Sequence, residues 1–205
     1  MFFLKRSIVS LFNIYYFYHY VFFLIIHIKL IKLFHIKNNK NKIKISQVYK
    51  LIFGLVYIIL PFYLTCYIYN IIGNGKKIIL GIFFLTCVND TFSYLIGNKL
   101  GKRKIVFFIS PKKSLEGYLG GLFFCLISGF FLLKIWGEKY WIILSIIVFV
   151  FGSLGDLVES TIKRYYNVKD SGVFLPGHGG FLDRLDSFIF VIPIIYILIK
   201  LDFIF

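Results

Sequence analysis

Residues 140–164 read YWIILSIIVFVFGSLGDLVESTIKR and change character partway along. The stretch 140–154 is almost wholly apolar, whereas 155–164 holds two carboxylates and two basic side chains. A membrane-spanning helix needs about 20 mostly apolar residues, because the hydrocarbon layer is about 30 Å thick and the backbone must hydrogen-bond internally. The stretch therefore predicts a helix that crosses a membrane and continues as a charged helix on one side of it.

The rest of the chain shows the same apolar character. Its 205 residues are 59% hydrophobic and 21% aromatic, and the mean hydropathy is +0.83, far above that of soluble domains. We predict six apolar segments, at residues 7–28, 51–72, 78–97, 118–135, 139–158 and 187–204. The predicted fold class is all-α, a polytopic membrane helix bundle of about six transmembrane helices with a short cytoplasmic helix or loop that carries the site.

The formal charge of +15 is distributed as a topology signal. Residues 29–50 carry seven Lys, 97–117 carry six Lys or Arg, and 159–186 carry four. The positive-inside rule places these three loops in the cytoplasm and both termini outside. Because the basic residues form no single recognition stripe, we expect no nucleic-acid partner. We expect them to attract the anionic headgroups of a lipid bilayer.

Acidic residues gather on the cytoplasmic side. Of nine in the chain, seven lie in or beside the loops at residues 97–117 and 159–186: Asp90, Glu116, Asp156, Glu159, Asp170, Asp183 and Asp186. Ionisable groups at membrane depth cost several kcal/mol unless they are paired or solvated, which favours a functional role. The alternative is that these carboxylates only neutralise neighbouring Lys and Arg.

The charged continuation at residues 155–164 places acidic and basic groups on one helix face. Asp156, Glu159 and Lys163 follow the spacing i, i+3, i+7. Two carboxylates one helical turn apart suit Mg²⁺, which keeps several waters and takes other oxygens from substrate phosphates. Lys163 and Arg164 would then meet phosphate charge. The pattern is also typical of a solvated helix end, so it needs support from other segments.

Residues 176–187, PGHGGFLDRLDS, supply that support. Gly177, Gly179 and Gly180 break the helix and let the backbone approach a ligand closely. A glycine-rich turn that enters a helix offers free N–H groups and a positive dipole end to a phosphate. Asp183 and Asp186 then begin the next helix with their carboxylates on one face.

Two further segments add candidate groups. Asp90 lies inside the third apolar segment, and because burying it unpartnered would be expensive, we expect it to face a hydrated cavity or a cation. Ser110, Lys112 and Lys113 offer a hydroxyl and two ammonium groups for phosphate, although lysines here also mark cytoplasmic topology. The whole inventory predicts metal-assisted phosphoryl or nucleotidyl transfer. Acyl transfer is disfavoured, since the chain has no GxSxG elbow and His178 has no neighbouring nucleophile.

Three linked motifs resemble the signature of the phosphatidate cytidylyltransferases, also called CDP-diacylglycerol synthases. They are STIKR at residues 160–164, KDSG at 169–172 and LPGHGGFLDRLD at 175–186. The resemblance extends to SPKKSLEG at 110–117 and more loosely to Asp90, so it covers roughly residues 85–205. It suggests a division into N-terminal transmembrane helices at 1–75 and a catalytic transmembrane region at 76–205, with the signature at 160–186.

The resemblance implies an integral membrane enzyme that combines CTP with phosphatidate to give CDP-diacylglycerol and pyrophosphate. It implies one or two Mg²⁺ ions, with a monovalent cation as a further candidate, and a homodimer. The metal ligands implied are Asp90, Asp156, Glu159, Asp183 and Asp186. The catalytic residues implied are Asp156, Lys163, Arg164, Lys169, Asp170, His178, Asp183, Arg184 and Asp186. Nucleotide and phosphate contacts are expected from Ser110, Lys112, Lys113, Gly177, Gly179 and Gly180.

Other functions remain open at this point. A CTP-dependent lipid or polyprenol kinase would transfer the γ-phosphoryl group and release CDP instead of pyrophosphate. An ion-coupled transporter would use Asp90, Asp156 and Asp183 as intramembrane ion sites, but its polar groups would lie at mid-membrane, whereas here they gather on one side. We expect the protein in the bacterial inner (cytoplasmic) membrane with its site facing the cytoplasm.

Overall fold

The computed structural model describes residues 47–71, 73–105, 110, 113–165, 168, 171–172, 180 and 182–201. These residues form five α-helices and one short 3-10 helix: α1 Gln47–Ile71, α2 Gly75–Leu100, α3 Leu115–Trp136, α4 Tyr140–Tyr165, the 3-10 helix Leu182–Arg184, and α5 Asp186–Lys200. They contain no strand, and Lys104 and Ser114 form an isolated antiparallel bridge. The all-α prediction is confirmed for this part of the chain.

Three of the described helices are long and apolar enough to cross a membrane. They are Gly75–Leu100, Leu115–Trp136 and Tyr140–Arg164. In α1 the apolar stretch Val56–Asn70 is shorter, and α5 has only 15 residues. The first predicted segment, 7–28, lies outside the described residues. The fold is therefore that of an integral membrane helix bundle, and the expected count of about six spans is not confirmed by the described residues.

Local signals in the sequence set where α3 begins and ends. The Ser114 hydroxyl accepts a hydrogen bond from the Gly117 N–H at 3.2 Å, which caps the first turn. Gly137 ends the helix with a φ of 83°, a left-handed conformation that favours glycine, and its N–H donates to the Leu133 carbonyl. Only residues 138–139 then separate it from α4, so α3 and α4 run antiparallel.

The helices pack around α5 and around a close approach of α2 to α3. A Cβ on Gly117 would lie 2.6 Å from the Ser93 carbonyl oxygen and 2.8 Å from Gly97 Cα, so only glycine allows this approach. α5 packs on α4 and α1, and its residues 186–193 are all buried. The buried core includes Ile82, Leu85, Trp141, Leu144, Val148, Val191 and Ile192.

The first residue of α5 lies well short of the C-terminal ends of α2 and α4. Gly155 of α4 packs on the Asp186 carbonyl, ten residues before α4 ends at Tyr165. Asp90 of α2 contacts Ser187, ten residues before α2 ends at Leu100. At 1.5 Å per residue, α2 and α4 extend about 15 Å past the start of α5. The proposed division at residue 75 stays a prediction, although α1 packs on both α5 and α2.

Candidate active site

The predicted carboxylates converge at one end of the bundle. Asp90 comes from α2, Asp156 and Glu159 from α4, Asp183 from the 3-10 helix, and Asp186 from the first turn of α5. Continuation of α4 beyond its apolar part carries Asp156 and Glu159 to this end, as the sequence predicts. Four separate elements therefore supply acidic side chains to one region.

Gly155 allows α4 and α5 to touch at this region. A Cβ at this position would lie 2.6 Å from Phe190 Cβ and 2.8 Å from the Asp186 carbonyl oxygen. Asp186 is buried here, and its carboxylate accepts a hydrogen bond from the Ser187 N–H at 2.7 Å. Burial, together with the charges of Asp156 and Glu159, raises the pKa of Asp186 above its ordinary range. A buried carboxylate with other carboxylates close by is a place where a bound cation is favoured.

Lys163 joins two carboxylates from different elements. Its Nζ lies 2.5 Å from Glu159 Oε2, one turn earlier on α4, and 2.8 Å from Asp183 Oδ1 on the 3-10 helix. Glu159 is buried, with 6% of its surface exposed. The ammonium group thus offsets two negative charges and connects α4 to the segment that leads into α5.

Asp183 also binds the backbone of Ser171 and Gly180. Its Oδ2 accepts from the Gly180 N–H at 2.7 Å and from the Ser171 N–H at 2.9 Å. Burial alone would raise the pKa of Asp183, but the hydrogen bonds from Lys163 and from these N–H groups outweigh it and hold the pKa below its ordinary value. Both oxygens of Asp183 are therefore engaged with Lys163 and with the backbone of Ser171 and Gly180.

Lys113 approaches the same region from the loop before α3. Its Nζ lies 2.7 Å from Asp156 Oδ2. Ser160 donates a hydrogen bond to the other oxygen of Asp156 at 3.4 Å. The ammonium group that the sequence assigned to phosphate is thus placed beside a predicted metal ligand.

Asp90 is exposed and has two polar neighbours. Its Oδ1 accepts hydrogen bonds from the Ser187 hydroxyl and from Asn89 Nδ2, both at 3.2 Å. Asn89 of α2 and Ser187 of α5 therefore give Asp90 two polar partners, and the expected hydrated cavity or cation stays a prediction. Ser187 also brings Asp90 close to Asp186, the residue immediately before Ser187 in the chain.

The donor chemistry of this region fits a hard divalent cation. Carboxylate oxygens are the ligands that Mg²⁺ prefers, and Asp90, Asp156 and Asp186 act electrostatically on one another. Across the described residues, no group of three or more His, Cys, Asp or Glu side chains is arranged to hold an ion directly. Substrate phosphates could supply further oxygens to a cation held by these carboxylates.

The remaining predicted site residues lie either elsewhere at this end of the bundle or outside the residues that the structure describes. Arg164 and Arg184 are exposed at the same end, and the Ser110 carbonyl accepts from the Lys113 N–H at 3.2 Å. Six residues lie outside the described ones, and their roles stay predictions: Lys112, Lys169, Asp170, Gly177, His178 and Gly179.

Ser187 was not among the predicted residues, and Glu116 was predicted only as one of the seven acidic residues on the cytoplasmic side. Ser187 bonds to Asp90 across 97 positions of sequence, and no local pattern signals such a contact. Glu116 accepts from the backbone N–H groups of Lys102 and Arg103. The signals that could have identified Glu116 are its position in the motif SPKKSLEG and its position in the first turn of α3.

Comparisons with known proteins agree with the resemblance seen in the sequence. The model of the cytidylyltransferase family matches residues 1–202. The phosphatidate cytidylyltransferase of Staphylococcus aureus strain COL is 46% identical over 137 residues, which cover 65% of this chain and 53% of that protein. The phosphatidate cytidylyltransferase of Staphylococcus haemolyticus is 45% identical over the same length. The chain spans about half the length of these curated relatives.

Proposed function

Because the chain belongs to the cytidylyltransferase family, we propose that it transfers the cytidylyl group of CTP to phosphatidate, giving CDP-diacylglycerol and pyrophosphate. The names of its relatives support these substrates. The observation that carries the proposal is the convergence of Asp156, Asp186 and Lys113 at one end of a membrane bundle. Phosphoryl chemistry depends mainly on positioning and charge stabilisation, which such a cluster supplies.

The proposal includes Mg²⁺, one or two ions, with a monovalent cation as a further candidate. Asp90, Asp156 and Asp186 would hold the divalent ion together with phosphate oxygens of CTP, and Glu159 lies next to them. Asp183 remains a candidate ligand if CTP binding releases its anchoring bonds. The ion would neutralise charge on the phosphates as pyrophosphate departs.

The chain's own residues would orient the two substrates. Lys113, Arg164 and Arg184 would bind phosphate oxygens at the charged end of the bundle. Lys163, held by Glu159 and Asp183, would keep the glycine-rich segment against α4. A phosphatidate oxygen then attacks the α-phosphorus of CTP in line; the new P–O bond forms as the bond to the bridging oxygen of pyrophosphate breaks.

The membrane setting follows the charge pattern. We propose that the carboxylate end faces the cytoplasm of a bacterial inner membrane, because Lys99, Lys102, Arg103 and Lys104 gather there. CTP would arrive from the water and phosphatidate from the bilayer. The homodimer implied by the resemblance is part of the proposal. Neither the lipid kinase nor the transporter gains support from the family match.

The decisive experiment uses purified protein in detergent micelles with phosphatidate, Mg²⁺ and radiolabelled CTP. We expect label in the lipid fraction and an equal amount of pyrophosphate. Asp156→Asn should lower the rate at least about 100-fold, as expected for a group that stabilises a transition state. Glu138→Gln, at the opposite end of the bundle, is the matched control and should retain the wild-type rate. CDP release without cytidine in lipid would overturn the proposal in favour of the kinase.

A further inference from the structure

Glu116 fixes the backbone of the loop that follows α2. Its Oε2 accepts from the Lys102 N–H at 3.0 Å and from the Arg103 N–H at 3.1 Å, and its Oε1 lies 3.2 Å from the Arg103 nitrogen. Hydrogen bonds to an ionised acceptor are about twice as strong as those between neutral groups. Glu116 is the second residue of α3, so it connects the loop that follows α2 to the first turn of α3.

The clamped backbone in turn holds the segment that carries Lys113. The Leu115 N–H donates to the Arg103 carbonyl at 2.8 Å, and the Ile105 N–H donates to the Lys113 carbonyl at 3.3 Å. These two bonds flank the antiparallel bridge between Lys104 and Ser114. Fixing residues 102 and 103 therefore also fixes the backbone at residue 113.

Lys113 is the point where this loop meets the carboxylate cluster. Its ammonium group lies 2.7 Å from Asp156. A long flexible side chain reaches a target in one geometry only if its backbone is held, because ordering it costs conformational entropy. The sequence of contacts runs from Glu116 to the 102–103 backbone, then to residue 113, and finally to Asp156.

We propose that Glu116 is a positioning residue that acts through Lys113. The inference rests on the proposed function for its effect on rate, because Lys113 would bind substrate phosphate beside Asp156. An acidic residue in the first turn of a helix also interacts favourably with the helix dipole. That general effect would stabilise α3 whether or not Lys113 is present. Stabilisation of α3 and positioning of Lys113 can therefore be told apart by removing Lys113.

A double-mutant cycle on cytidylyl transfer tests the coupling. Glu116→Ala should lower kcat/KM about 10-fold and Lys113→Ala about 100-fold, while the double variant should match Lys113→Ala within about twofold, because coupled residues are not additive. Glu116→Asp should recover part of the lost rate, because it keeps the charge. An unchanged 10-fold effect of Glu116→Ala in the Lys113→Ala background would overturn the proposal. Glu138→Ala, another carboxylate near a helix end, is the control and should leave the rate unchanged.

A second measurement does not depend on activity. Amide hydrogen exchange at Lys102 and Arg103 should accelerate at least about 10-fold in Glu116→Ala, and Lys113 should react faster with an amine-directed acylating reagent. Unchanged exchange or unchanged acylation would contradict the clamp even in an active enzyme. If the wild type fails to transfer cytidylyl groups while both changes occur, the proposed function fails and the positioning of Lys113 by Glu116 stands.

Discussion

Asp183 shows how one side chain can connect several parts of a site. Its carboxylate binds Lys163 on α4 and the backbone N–H groups of Ser171 and Gly180. Burial opposes the charge, but these hydrogen bonds are the stronger influence, since the pKa falls below its ordinary value. The group is therefore ionised at neutral pH and holds the backbone at Ser171 and Gly180 in place.

Asp183→Asn should loosen the backbone at Ser171 and Gly180. The amide keeps one acceptor oxygen but loses the charge, so it cannot satisfy Lys163 and both N–H groups equally well. We expect faster amide exchange at Ser171 and Gly180 and a loss of transfer activity of at least about 100-fold. Exchange that stays at the wild-type rate would show that the carboxylate does not anchor this backbone; Glu138→Gln again provides the control.

Lys163→Met should destabilise the fold. Removal of the ammonium group leaves Glu159 and Asp183 close together without their shared cation, and breaking such a buried arrangement costs about 3–5 kcal/mol. A denaturant titration in micelles measures the free energy of unfolding. Adding Glu159→Gln to this variant should restore part of the stability, because it removes one of the uncompensated charges. If Lys163→Met is as stable as the wild type, the ion pairs of Lys163 with Glu159 and Asp183 do not contribute to stability.

At the scale of the element, α4 combines an apolar span with a charged end. Its continuous course from Tyr140 to Tyr165 places Asp156, Glu159 and Lys163 beyond the apolar part. The same helix meets α5 at Gly155, immediately before Asp156. Helix packing and placement of the carboxylates therefore depend on one position.

Gly155→Ala should separate α4 from α5. The added methyl group would lie 2.8 Å from the Asp186 carbonyl oxygen, and backbone cannot move aside as easily as a flexible side chain. We expect a loss of stability of about 1–3 kcal/mol and a clear loss of activity. Gly152→Ala is the matched control one turn earlier, because its Cβ would meet Ser187 and Val191 at ordinary contact distances of 3.6 and 3.7 Å. Equal tolerance of both changes would contradict this account.

The comparison of sequence with structure is clearest at α4. Helical spacing alone placed Asp156 and Glu159 on a charged continuation, and the helix indeed runs to Tyr165. The spacing did not show that Lys163 pairs with Asp183, since that contact depends on the path of the chain between α4 and α5. Local periodicity predicts which face a residue occupies, whereas partners distant in sequence depend on packing.

The same limit applies to the helix count and to Asp90. Apolar runs predicted α2 and α3 within three residues of their observed bounds and α4 within one residue of its start, while α4 continues seven residues past the end of the apolar run. They could not show that α5 would be short and enclosed by other helices, because a buried helix and a membrane span have similar compositions. Nor could they show that Ser187 at the start of α5 would bond to Asp90.

At the scale of the whole molecule, the two ends of the helix bundle differ in charge, because the described residues at the carboxylate end include more basic side chains than those at the opposite end. Lys104 lies in the link between α2 and α3 on the carboxylate side, and Lys139 lies in the link between α3 and α4 on the opposite side. Because the helices alternate in direction, the orientation of one link determines that of the others.

Cysteine labelling should report this orientation. In a background with Cys66, Cys87 and Cys125 replaced by Ser, we expect Lys139→Cys to react with a membrane-impermeant maleimide on intact cells. Lys104→Cys should react only after the membrane is permeabilised, since its loop is predicted to be cytoplasmic. The opposite pattern would place the carboxylates outside the cell and exclude a reaction with cytoplasmic CTP.

The short length of α5 has a kinetic consequence. Because α2 and α4 extend about 15 Å past its first residue, we expect the carboxylates to lie nearer the lipid headgroups than the bulk water. A lipid substrate would then be found by lateral diffusion within the membrane plane. Its effective concentration would be its mole fraction in the bilayer or micelle. Adding detergent at a constant total amount of phosphatidate should therefore slow the reaction by surface dilution. The dependence of the rate on dissolved nucleotide should still follow its concentration in the solution.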